Sequence, residues 1–127
     1  MIDRILVAVD DSPPALAAAA FAVDLAREMS ATLRFVAVAD RDRDPDAVLR
    51  HVETLARRAG VSSSATAVRD GEPYEALLDA AAGWRADVVV MGRSDKRASG
   101  RPYVGSQTEH LLEFADVPVV VVPEPTP

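Results

Sequence analysis

Cysteine is absent from the chain, which excludes a disulfide framework and thiolate chemistry and suits a reducing compartment. No apolar stretch approaches the roughly 20 residues that a membrane span requires. The first residues, MIDRILVAVDD, carry acids on both sides of a short apolar run, without the basic flank, longer apolar region and cleavage site of a secretory signal. A cytoplasmic protein with no membrane partner is therefore expected. A surplus of positive charge is also missing. The formal charge is −6, and such a surface repels phosphate backbones, so no nucleic-acid partner is expected. Neither a Walker A sequence nor a G-x-G-x-x-G fingerprint occurs.

What is present is apolar residue in quantity. Hydrophobic side chains make up 49% of 127 residues, enough for the core of one domain spanning residues 1–127. The chain alternates strand-like and helix-like segments. Arg4 to Val9 (RILVAV), Thr32 to Ala39 (TLRFVAVA), Asp87 to Met91 (DVVVM) and Val117 to Val122 (VPVVVV) are apolar and β-rich, as in strands covered on both faces. Ser63 to Val68 (SSATAV) is more polar and reads as a strand at a sheet edge.

Between them lie helical patterns. Ser12 reads as an N-cap with Pro13 at the first helical position, followed by Leu16, Ala20, Val23 and Ala26 at helical spacing to Met29. Asp46 to Ala59 carries Val48, Val52, Leu55 and Ala59 on one stripe, with Gly60 as its stop. Pro73 opens a third helix through Ala82, with Gly83 as its expected end, and a fourth begins at Ser106. Five strands alternating with four helices predict right-handed crossovers: an α/β fold, a doubly wound five-stranded parallel sheet with helices on both faces. Ligands of such sheets sit beyond the carboxyl ends of the strands, where Asp10, Val38 and Gly92 fall.

The segment from Gly92 to Ser106 (GRSDKRASGRPYVGS) leaves a buried strand and enters a helix. Gly92 is expected to allow a sharp turn and Gly105 a close backbone approach to a ligand. Gly105 and Ser106 would offer N–H groups at a helix N-terminus, which favours anions. Arg93, Lys96, Arg97 and Arg101 face one acid, Asp95, in an otherwise acidic protein. Ser106 and Glu109 also form a capping box, which needs no ligand. Both readings stand on these residues alone.

Other patterns carry less. Asp40, Asp42 and Asp44 alternate like the start of a calcium loop, but Pro45 replaces its turn glycine and His51 its bidentate glutamate. His51 and His110 have no metal-binding context and read as surface residues. Ser12 and Ser106 are better explained as caps than as nucleophiles. With no general base or nucleophile placed by the sequence, an enzyme is not expected. Trp84 reads as a packing residue near a helix end.

Taken together, ILVAVDDS, DVVVMG, GS-x-TE and ADVPVVVV, in this order over nearly the whole chain, resemble the universal stress protein family. The resemblance implies a Rossmann-like fold of the adenine nucleotide alpha hydrolase kind. It implies a regulatory module in stress response that binds ATP, with Mg²⁺ as an accompanying ion. ATP-binding members share G-x2-G-x9-G-S/T. Gly92, Gly105 and Ser106 match that spacing here, while Asp95 stands at the second glycine. By the same resemblance Asp10 and Val38 match positions that contact ribose and adenine. A carboxylate suits the ribose, since it accepts two hydrogen bonds; read without the family, Asp10 is a turn or cap residue. Asp95 adds negative charge and bulk where a triphosphate would approach, which motivates an alternative: a dimeric interaction protein that binds no ATP. The resemblance also implies a homodimer through Val119–Val122, an apolar segment that as a sheet edge would need pairing or cover.

Overall fold

The computed structural model describes residues 1–10, 12–38, 44–68, 71–93 and 106–124. Its elements alternate strictly: β1 (Arg4–Ala8), α1 (Pro13–Met29), β2 (Thr32–Val38), α2 (Pro45–Arg58), β3 (Ser63–Val68), α3 (Pro73–Trp84), β4 (Val88–Gly92), α4 (Ser106–Phe114) and β5 (Val119–Val122). The strands form one sheet in the order β3-β2-β1-β4-β5, and every adjacent pair is parallel. The fold is the doubly wound α/β sheet that the alternation predicts.

Strand periodicity divides the core into two layers. Ile5, Val7, Leu33, Phe35, Val88 and Val90 point to the face that α1 and α2 cover. Leu6, Val36, Val89 and Met91 point to the other, where Leu77 and Ala81 of α3 and Leu111 of α4 meet them. The central strands bury both faces, which is why their sequences are unbroken apolar runs. Alanines at 18, 19, 22 and 26 give α1 a flat surface that lies close against the sheet. The more polar β3 is an edge strand, as its composition predicts.

Two boundaries differ from the sequence reading by two residues, the others by no more than one. Helix α3 runs through Gly83 to Trp84 and ends on Arg85 in the left-handed region, φ 57°, whose N–H is donated to the Ala81 and Ala82 carbonyls. The helix does not stop at Gly83, because the Trp84 carbonyl is held by Nη1 of Arg4 at 2.7 Å. Strand β5 starts at Val119 rather than Val117, and Pro118 contributes only its carbonyl, which accepts from Val89 N–H at 2.9 Å. Gly60, at φ 74°, ends α2 as expected.

The amino ends of β1 and β4 are joined by one side chain. Asp87 Oδ2 accepts from the N–H groups of Asp3 (2.8 Å) and Arg4 (2.9 Å), and these bonds hold its carboxyl below the usual 3.8. A carboxyl depressed by folding adds stability above its unfolded value and loses it as pH falls through the lower folded value. Urea midpoints measured below about pH 4 are therefore expected to fall more steeply in the wild type than in Asp87→Asn.

Candidate functional site: the crevice at the strand carboxyl ends

The strand order reverses between β1 and β4. The chain leaves β1 for a helix on one face and leaves β4 toward α4 on the other, so a crevice opens between their carboxyl ends. Asp10 follows β1, Val38 ends β2 and Gly92 ends β4, on three adjacent strands. The three positions lie along one rim of about 10 Å, given the ordinary strand spacing. Ser106 is the first residue of α4, although its side chain lies outside the described residues. Gly105, Asp95, Lys96, Arg97 and Arg101 also lie outside them, as do Asp40 and Asp42. Asp44, the last acid of that alternation, caps α2 by accepting from Asp46 N–H at 2.9 Å.

Gly92 has a different role from the one its sequence context suggests. It belongs to β4, and its φ does not lie in the left-handed region. A Cβ built on it would lie 2.5 Å from both the carbonyl carbon and oxygen of Pro14 and 2.8 Å from Ala15 N. Close approach of the first turn of α1, rather than a sharp turn, therefore requires glycine here. The contact packs the start of α1 directly against the end of β4.

The start of α1 has no backbone N–H left for an anion. Ser12 N–H is donated to Asp10 Oδ1 at 2.7 Å, and Pro13 and Pro14 have no N–H. Ala15 N–H is donated to Ser12 Oγ at 3.3 Å. All four groups that a helix N-terminus normally leaves open are thus absent or satisfied. On this side the crevice offers an acceptor instead. Asp10 is exposed, and its Oδ2 makes no hydrogen bond among the described residues. The turn role of Asp10 is real, and it occupies only one of the two carboxylate oxygens.

On the α4 side, Gln107 ties two helix starts together. Its Oε1 accepts from Tyr74 N–H at 3.1 Å, and its Nε2 is donated to Glu72 Oε2 at 3.3 Å. Glu72, the N-cap of α3, makes no side-chain cap bond of its own, so α4 supplies the cap of α3. No sequence rule signals this, because the partners are 33 residues apart. Thr108, within the GS-x-TE segment, is buried, and no buried side-chain polar atom among the described residues lacks a partner. Both histidines are exposed, His110 stacking on Tyr74 with centroids 4.9 Å apart. Among the described residues no group of three or more His, Cys, Asp or Glu is placed to hold a metal. No helix among them is long and apolar enough to cross a membrane.

A family model described as the universal stress protein family matches residues 1–123. The chain belongs to this family. A universal stress protein of Thermus aquaticus, from the region 3′ of a QAH/OAS sulfhydrylase, is 35% identical over 136 residues, covering 96% of this chain and 99% of its own length. The fold is shared with a universal stress protein from Archaeoglobus fulgidus solved in complex with dAMP, with a TM-score of 0.73 and 23% identity, covering 96% of this chain and 98% of that one. A universal stress protein solved in complex with cAMP has a TM-score of 0.79 and 22% identity, covering 98% and 99% of the two chains. These two likenesses speak for the fold. In both family and architecture, the resemblance read from ILVAVDDS, DVVVMG and ADVPVVVV holds.

Proposed function

We propose that this member of the universal stress protein family is a regulatory module of the stress response that binds an adenine nucleotide, ATP with Mg²⁺, in the crevice between β1 and β4. The carrying observation is the polar character of the α1 side of the crevice. Among the described residues the first turn of α1 has no backbone N–H to give a phosphate, and Asp10 presents an oxygen that none of them binds, an acceptor suited to a ribose hydroxyl. Phosphates then belong on the opposite side, with Gly105, Ser106 and the start of α4. Val38, half-buried at the end of β2, would border the base. Mg²⁺ would be carried with the phosphates, since no described cluster is placed to hold it. Family structures in complex with dAMP and cAMP support an adenine nucleotide as the ligand class. No residue is assigned a catalytic step.

Asp10→Asn tests this reading cleanly. Asn keeps an oxygen for Ser12 N–H and replaces the free acceptor with a donor. Calorimetric titration with ATP, with and without Mg²⁺, is expected to show roughly tenfold weaker binding in the variant, for one lost charge-assisted bond, at an unchanged melting temperature. No heat from the wild type at millimolar ATP would reject ATP as its ligand. In that event Asp95 supports the second reading, an interaction protein without nucleotide, and Asp95→Gly is then expected to gain binding.

We also propose a homodimer paired through β5. Its outer edge has no partner among the described residues, and all four of its valines are only half-buried. An apolar, unpaired edge of this kind is covered in stable proteins.

A further inference from the structure

The opposite pole of the sheet carries a second constellation, independent of the nucleotide reading. Arg4 and Asp10 bracket β1, six residues apart, so the two poles are separated by about 20 Å. Arg34 sits within β2 on the face shared with Val36, where it meets the ring of Trp84, the last residue of α3. Its guanidinium lies 4.7 Å from the ring centroid, and its Nε is donated to Ser64 Oγ at 3.0 Å. Arg4 approaches the same ring at 5.9 Å while its Nη1 holds the Trp84 carbonyl. Two guanidiniums thus approach the Trp84 ring.

These arginines differ in what they have left to give. Arg4 already gives its backbone N–H to Asp87 and its Nη1 to the Trp84 carbonyl. Among the described residues Arg34 has no acidic partner, and neither of its Nη groups has an acceptor. The stack on Trp84 and the bond to Ser64 fix the plane of the guanidinium. Ser64 belongs to β3, the outermost strand, so the guanidinium is held beside the sheet edge. A guanidinium fixed in plane with its two terminal nitrogens open matches the two oxygens of a carboxylate.

We propose that Arg34, fixed by Trp84 and Ser64, is a binding site for a carboxylate, supplied either by a small organic acid or by an acidic side chain of a partner protein. One open guanidinium edge suits a planar monoanion better than a phosphate dianion, which would want further cations around it. A half-buried single fork still open to water binds weakly, with dissociation on the order of millimolar.

Trp84 is the only tryptophan of the chain, so its emission reads this site alone. The full chain is titrated with acetate, with a short peptide bearing one glutamate, with inorganic phosphate, and with sodium chloride at matched ionic strength. A saturable change in Trp84 emission with acetate or peptide is expected, at least tenfold weakened in both Arg34→Leu and Arg34→Lys. The lysine variant keeps the charge and loses the fork. At least tenfold tighter binding of the peptide than of acetate assigns a partner's side chain as the source, and equal binding assigns a small acid. The site is overturned by no saturation with any carboxylate up to about 50 mM, by an equal response to chloride, by tighter binding of phosphate than of acetate, or by an unchanged response in Arg34→Lys.

Discussion

Gly92→Ala is expected to destabilise the protein by about 3 kcal/mol, at the upper end of ordinary overpacking costs, and to lower its melting midpoint by about 10 °C. The reason is what the added methyl meets. Pro14 C and O at 2.5 Å and Ala15 N at 2.8 Å are backbone atoms, and a backbone cannot rotate out of the way as a side chain does. Relief requires α1 to lift from β4 or the end of β4 to bend. Either movement disturbs Asp10, because its Oδ1 is bound to Ser12 N–H just before this turn. The variant is therefore expected to lose nucleotide affinity along with stability. Gly83→Ala is the control. A Cβ there meets nothing within 4 Å, and the residue lies inside α3, so the same change should be neutral or stabilise by up to about 1 kcal/mol. Thermal denaturation of the two variants beside the wild type decides the matter; equal midpoints would contradict the close contact.

Val121→Pro is expected to convert the proposed homodimer into a monomer, weakening association by a hundredfold or more, which corresponds to about 2.7 kcal/mol. The carbonyls of Pro118 and Val122 face β4, accepting from Val89 and Arg93 N–H at 2.9 and 2.7 Å. By the period of two, Val120 faces β4 as well, while the N–H groups of Val119 and Val121 face the open edge. Proline at 121 removes an outward donor and leaves the inner ladder to β4 intact. The preceding residue is already extended, which is the conformation that proline demands of it. Sedimentation velocity at micromolar concentration reads the outcome. A wild type that sediments as a monomer would refute the dimer, and a variant that stays dimeric would place its interface elsewhere.

The reach of the sequence can be judged from the same residues. Its alternation of apolar runs with helical stripes determined the strand and helix order. The polar SSATAV identified the edge strand, because a strand covered on one side can keep serines and threonines. Ser12, Pro13 and Gly60 announced their helix ends, since caps act through bonds to residues a few positions away. The family, too, was legible in short segments whose order spans the chain.

Only the tertiary structure decided matters that depend on distant partners. That Gly92 answers to Pro14, that Gln107 caps α3, and that Trp84 carries the helix past Gly83 are contacts between residues 33 to 80 positions apart. Local propensity holds no record of them. Asp10 shows the division within one side chain. Its place at the end of β1 and the capped, proline-led start of α1 beside it were written in the sequence, whereas its position on a rim shared with β2 and β4 came from the strand order, which depends on pairing between distant segments.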